Sequence, residues 1–354
     1  MRFSLRLNND VAPDDLVLLA RTAEDLGFDQ LWVSNDLFLR SAPVLVGALA
    51  VRTTTLGLGI AVMNPYSVNV VEVAMAAATL QELSGGRFSL GLGAGSEEFL
   101  GWAGLARPAP LGTTRQAVHV LRLLLGHEDV DPAGLPGWAA AKRPLGMPVG
   151  RPVPVYVGAM GPRMLHMAGE CADGALPLLY PPEHFAVARR QVEDGIAAAG
   201  RSRAAFDLPA CFWVSVAQDA AAGRAALANK LAYYGPSISP TLLAAAGLAP
   251  GDFLPAARLA QRGEDAAALV DDRMLSLGIA GAAQDVVDRC RGLVALGADH
   301  LSVGPPLGPD PGRSAQKSLN VTLTTLRQKL HEAAATAGVE APVITTLHSF
   351  GYRL

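Results

Sequence analysis

Three stretches of this chain carry side-chain types and spacings that could do chemistry. The first is Gly158-Ala159-Met160-Gly161-Pro162-Arg163. Small residues leave backbone N–H groups bare, and a helix starting directly after them adds the positive end of its dipole, so the loop suits a phosphate. An ordinary tight strand-to-helix turn has the same composition, and both readings stand here. Arg163 either adds charge at that site or is a solvated helix residue, the latter being favoured. The second stretch is Gly91-Leu92-Gly93-Ala94-Gly95, followed by Glu97 and Glu98. It lacks the third glycine of a dinucleotide fingerprint. Its glycines instead suit the close approach of a flat ring to the backbone. A desolvated carboxylate beside such a ring can donate a proton; the plainer reading of Glu97 and Glu98 is two solvated loop acids. The third stretch is Ser34-Asn35-Asp36, where Asp36 invites the same pair of readings.

Other chemistries lack their residues. The chain has seven histidines, with no His-x-x-x-His or His-Glu-x-x-His pairing, so no metal site is expected. No Gly-x-Ser-x-Gly appears for a serine nucleophile. Cys171, Cys211 and Cys290 are too far apart for a zinc knuckle or a disulfide framework, and read as inert thiols. Candidate sites this short of reactive groups imply that a cofactor brings the chemistry.

The elements that must position these stretches alternate strand and helix. Strands are predicted at Arg2–Leu7, Gln30–Ser34, Thr55–Val62, Arg87–Gly93, Pro152–Gly158, Gly174–Leu179, Leu208–Ala217 and His300–Val303. Helices are predicted at Asp14–Leu26, Ala42–Val51, Val70–Leu83, Thr113–Leu125, Arg163–Cys171, Glu183–Ala199, Asp285–Leu296 and Ser314–Ala337. Eight near-continuously apolar strands alternating with helices describe a (β/α)8 TIM barrel with insertions, in preference to a doubly wound sheet. In that architecture sites lie at the C-terminal strand ends, which is where Asn35, Asp36, Asn64, Gly93, Ala94, Glu97 and Gly158 through Arg163 fall.

Two stretches break the repeat. Residues 126–151 are rich in glycine and proline without periodicity, and are expected as a loop excursion over the barrel mouth. Residues 220–277 are alanine-rich and longer than one crossover, and are expected as a few inserted helices. No linker composition divides the chain, so residues 1–354 read as a single domain.

Composition agrees. Hydrophobic residues make up 50% of the 354 and charged residues 17%, which excludes a disordered chain. A net charge of −3 carries no footprint for nucleic acid. The longest uncharged stretch, Thr53 to Val71, contains Asn64, Pro65, Ser67 and Asn69, and reads as a buried strand and loop rather than a membrane span. Met1 to Arg6 has no apolar signal region. A cytoplasmic protein is expected.

Taken together, these motifs resemble the luciferase-like flavin and deazaflavin oxidoreductases. The similarity is greatest to the methylenetetrahydromethanopterin reductase branch, which uses coenzyme F420. It rests on Leu26-Gly-Phe-Asp-Gln-Leu-Trp-Val-Ser34, Asn64-Pro-Tyr66, Glu82-Leu-Ser-Gly-Gly-Arg87, Leu90-Gly-Leu-Gly-Ala-Gly95, Val155 through Met164, Ile279-Ala-Gly281 and Gly304-Pro-Pro-Leu-Gly-Pro-Asp310, in family order. The resemblance implies a homodimeric barrel with a flavin-like ring at its mouth and a non-prolyl cis peptide behind the ring, at Ala61–Val62. It implies cofactor contacts from Asn35, Ala61, Val62, Asn64, Gly93 and Ala94, and a phosphate on Gly158 through Arg163. Glu97 is the preferred proton donor, with Asp36 second.

One departure stands out. The family commonly has Asp-His after the second strand; here the pair is Asn35-Asp36, so a dehydrogenase using that histidine as base is not expected. The leading expectation is an F420-dependent reductase delivering a hydride to an electron-poor C=N or C=C bond of a small or biosynthetic substrate. The alternatives are an FMN-dependent monooxygenase and, given the departure, a non-catalytic cofactor-binding homologue.

Overall fold

The computed structural model describes residues 1–309 apart from 128, 132–134, 137–143 and 179–180, together with Thr324, Thr325, Arg327, Gln328, His331, Glu332 and Ala335. The seven tail residues are helical, in line with the predicted closing helix, the rest of which lies outside the described residues.

Nine strands form one parallel sheet: β1 (Arg2–Leu7), β2 (Gln30–Val33), β3 (Gly57–Met63), β4 (Phe88–Gly93), β5 (Val155–Gly158), β6 (Gly174–Leu176), β7 (Ala210–Val216), β8 (Ile279–Gly281) and β9 (His300–Leu307). Their order is β6-β5-β4-β3-β2-β1-β9-β7-β8. Bridges from Gly174 to Asp207 and from Leu178 to Cys211 join the β6 edge to the β7 segment, so the sheet curls into a barrel. The helices between the strands are α1 (Pro13–Asp25), α2 (Ala42–Ala50), α3 (Val70–Leu83), α4 (Glu97–Trp102), α5 (Pro110–Leu124), α6 (Pro162–Cys171), α7 (Phe185–Ala198), α8 (Ala220–Tyr234), α9 (Pro240–Ala245), α10 (Leu254–Ala260), α11 (Asp272–Leu275) and α12 (Ala283–Ala295).

The sequence explains the local choices. In α1, Pro13 sits in the first turn with Asp14 and Asp15, and Leu16, Leu19, Ala20 and Ala23 bury one face. Gly27 then stops the helix at φ +72°, a backbone that only glycine adopts freely. One carboxylate oxygen of Glu24 accepts from the N–H groups of Thr54 and Leu56 at 2.7 and 2.9 Å, which ties the end of α1 to the start of β3. The main apolar core lies between the sheet and the helices. A second cluster, around Leu227, Leu231, Leu243 and Phe253, belongs to the insertion.

Four elements differ from expectation. Ile279–Gly281 is a ninth strand, β8, paired with Val214–Val216; three residues are too few to show a periodicity. Glu97–Trp102 is helical rather than a loop. Ser96 accepts from Phe99 N–H at its start, and the two acids in its first turn are a start signal that reads equally well as loop polarity. The last strand continues past Val303 to Leu307, with a cis peptide at Pro305–Pro306. The described ends of the excursion are not at the mouth: Arg151 packs against Gly86, before β4, and Asp129 pairs with Arg122 near the end of α5. A segment that joins a helix to the next strand has its ends at the N-terminal strand ends, because mouth loops are those that follow strands; the rest of this segment lies outside the described residues.

The barrel interior is polar at that end. Asp207 is bonded to Arg2, to Tyr156 Oη at 2.9 Å and to His300 Nδ1 at 3.2 Å, while His300 Nε2 lies 2.9 Å from Ser4 Oγ. Burial alone would raise the Asp207 carboxyl; the charge and hydrogen bond of His300, with Arg2 and Tyr156, hold it down at about 2. Above this plug Trp32, Tyr156, Leu176 and Cys211 form a small apolar layer. Gly59 makes the space for Trp32, since a Cβ there would stand 2.2 Å from the indole.

Candidate active site

A cavity of about 1080 Å³ opens at the C-terminal strand ends. The β2 end supplies Asn35 and Asp36 to its wall, and β3 supplies Ala61 and Val62, followed by Asn64. Gly93, Ala94 and Glu97 come from the β4 end, and Gly158, Ala159, Met160, Gly161, Pro162 and Arg163 from the β5–α6 turn. All the residues singled out in the sequence for cofactor and proton chemistry therefore face one space.

The β3 side is shaped by a register shift against β4 between Ile60 and Met63, and the Ala61–Val62 peptide there is cis. The Val62 side chain lies among Gly91, Gly93 and Gly158: a Cβ on these would stand 3.1, 2.8 and 2.9 Å from its methyl carbons. Gly91, Gly93 and Gly158 thus make room for the Val62 side chain, a contact the sequence did not show. Asn64 Oδ1 accepts from Tyr66 N at 3.1 Å and Ser67 N at 2.9 Å, so it holds the turn after β3.

The two candidate acids have different surroundings. Glu97, preferred from sequence, has a side chain 82% exposed and pairs with Arg107 at 3.1 Å. Asp36 is only partly exposed and is held by a knot of polar groups. Buried Asn9 donates to the Asp36 carbonyl at 3.0 Å, and Ser34 Oγ donates to the Asp36 carboxylate at 3.3 Å. Burial pushes the Asp36 carboxyl above its ordinary value, with nearby Asp10 adding to the rise and Lys230 and Ser34 opposing it. Glu98, on α4, accepts from Ser237 Oγ of the insertion at 3.0 Å, so two segments distant in sequence meet at the rim.

Sequence reasoning missed several wall residues. Arg6 continues the Arg2-Ser4-Arg6 alternation on the inner face of β1, and that period-two polarity is the signal that could have found it. Trp32, Trp213, Lys230 and Tyr234 also line the cavity. Lys230 and Tyr234 lie within an alanine-rich helix whose sequence gives no pointer to the mouth.

These features fit a flat, phosphate-bearing redox cofactor. Ala61, Val62 and Leu176 form an apolar seat, and Trp32 Nε1 is a buried donor without a partner. Beside it, α6 begins at Pro162 with Gly161 as its cap; Met164 and Leu165 donate to the Gly161 carbonyl, the Arg163 N–H is left without an intrahelical acceptor, and the space beside Gly161 is open. Fold and site together define a TIM barrel whose mouth holds an apolar recess and a glycine-rich helix start.

Comparison with known proteins agrees. The sequence profile described as luciferase-like monooxygenase matches residues 1–300, and the chain belongs to that family. It is 34% identical to the 5,10-methylenetetrahydromethanopterin reductase of Archaeoglobus fulgidus over 325 residues, covering 89% of this chain and 97% of that one. It is 31% identical to the enzyme of the same name from Methanolobus tindarius, over 85% and 94% of the two chains. Among solved structures, the coenzyme F420-dependent tetrahydromethanopterin reductase of Methanopyrus kandleri superposes with a TM-score of 0.77 at 27% identity, covering 94% and 98%.

Proposed function

We propose that this chain is an F420-dependent reductase that transfers a hydride to an electron-poor C=N or C=C bond of a small substrate. The observation that carries the reading is the meeting, in one cavity, of an apolar ring seat, an anion-binding helix start and a partly buried carboxyl. A relative whose name gives it as F420-dependent, matched over 98% of its length, supports the cofactor. When bound, reduced deazaflavin supplies the hydride.

The chain's own residues do the rest. Ala61 and Val62 back the ring, with Asn35, Asn64, Gly93 and Ala94 around it. The N–H groups of Met160, Gly161 and Arg163 hold the phosphate. The apolar wall excludes water, which strengthens the remaining electrostatic contacts. Asp36, kept protonated to higher pH than an ordinary carboxyl, gives the proton that completes the reduction. Glu97 instead shapes the entrance through its pair with Arg107.

The same reading takes residues 1–354 as one barrel domain and the working form as a homodimer. Val44 and Val51 on α2 and its cap, and Met75 and Leu83 on α3, are exposed at 72%, 63%, 52% and 48%, an apolar surface that a second copy would cover. Sedimentation at two ionic strengths tests it. No described helix is long and apolar enough to cross a membrane, and the three free thiols support a reducing cytoplasm.

Mixing the purified protein with each cofactor tests the central claim. F420 is expected to bind, with quenching of its fluorescence, and FMN is not. Tight FMN binding with oxygen consumption, and no F420 binding, overturns it.

A further inference from the structure

Two cations line the cavity away from the phosphate turn. Arg6 donates through Nη2 to the Phe212 carbonyl at 2.7 Å, and its Nε is buried with no hydrogen-bond partner. The barrel wall is shaped for this group. A Cβ on Gly304, from β9, would stand 2.7 Å from Arg6 Nη2, so a larger residue at 304 would make the guanidinium shift. Lys230, from α8, holds its ammonium 4.3 Å from the centre of the Tyr234 ring and 5.3 Å from that of Trp213. Both contacts favour a cation over an aromatic face.

Among the described residues, neither cation forms an ion pair with a carboxylate. Asp10 and Asp36 act on Lys230 from a distance and favour its charge. Burial is the largest influence and, with the repulsion of Arg6, brings the ammonium down to about 8. Like charges facing one partly desolvated space raise each other's free energy, and an anion entering between them removes that cost. The unpartnered Nε adds a directed donor, and guanidinium is the side chain suited to oxyanions.

We infer that Arg6 and Lys230 form an oxyanion subsite that holds a carboxylate or phosphate group of the substrate. This rests on the reductase reading only in taking the anion to be part of the hydride acceptor. The subsite selects anionic acceptors over neutral ones of the same shape, and it lies apart from the turn that takes the cofactor's own phosphate.

Titrating the full-length protein with benzoate, phenyl phosphate and benzamide tests the inference, followed by fluorescence of the cavity tryptophans, with F420 binding measured in parallel. At least one anion is expected to bind roughly tenfold or more tighter than benzamide, and the tighter of the two identifies the group. That preference is expected to fall to near unity in Lys230→Met and in Arg6→Met, and to survive in Lys230→Arg. Equal binding of all three probes to the unaltered protein overturns the subsite, whatever the variants do. So does an anion preference that persists in the double variant Arg6→Met/Lys230→Met. Failure of F420 to bind while an anion is still preferred would remove the cofactor reading and leave the subsite standing.

Discussion

Gly158 and Val62 share one space: a Cβ on the glycine would stand 2.9 Å from Val62 Cγ1. A valine has no flexible end to swing away, so Gly158→Ala should displace the side chain that backs the ring seat. Overpacking of this kind costs about 1–3 kcal/mol. Urea unfolding should show that loss in Gly158→Ala. It should be largely recovered when Val62→Ala is added, because the two changes are coupled through one contact. Additive losses would mean that the glycine serves something else.

Asp36 as proton donor makes a prediction with a sign. A carboxyl raised by burial is protonated below its shifted pKa, so turnover that needs the acid form is present at low pH and falls as pH rises through that value. Asp36→Asn should lower kcat by about 10²–10⁴ and flatten the alkaline limb, with F420 binding retained. Glu97→Gln should change kcat little, since its side chain is 82% exposed and its pair with Arg107 is a surface one. The reverse ranking of the two variants would return the role to Glu97.

The α6 start can be tested through the phosphate alone. The space beside Gly161 is open, with no protein atom within 4 Å of an added Cβ. Gly161→Asp places a negative charge where the helix dipole favours an anion, and should weaken F420 about tenfold. The phosphate-free deazaflavin nucleoside should bind the variant and the parent alike. An equal loss for both would point to a disturbed ring seat.

Asp207 sets an acid limit on stability. Its carboxyl is lowered to about 2, so its stabilising contribution is complete above the unfolded value near 4 and is lost as pH falls from about 4 to 2. The expected size is about 2–3 kcal/mol. Urea midpoints for the parent should fall across that window, whereas Asp207→Asn should start lower and change less. Parallel slopes for the two proteins would exclude the aspartate as the source.

The strand-helix alternation was legible because most of its strands are apolar runs bounded by glycine and proline, and the strand-end rule then brought every nominated residue to one cavity. Side-chain environment was not legible. Glu97 and Asp36 look equivalent in sequence, and only the fold turns one to solvent and ties the other to Ser34 and Asn9. The polar plug was hidden for a related reason: Arg2, Ser4, Tyr156, Asp207 and His300 come from four separate segments, and each reads alone as a minor interruption of an apolar run. Lys230 reaches the mouth through an insertion whose path no local pattern encodes.

The plug also decides how molecules move in and out. With Asp207, His300, Tyr156 and Arg2 joined across the lower barrel, the described residues close the cavity at that end, and its far side is the rim where Glu98 meets Ser237. With exchange confined to the upper end, the partner seated deeper is expected to arrive first and depart last, so the barrel floor, far from the reacting atoms, would set the kinetic order of addition and release.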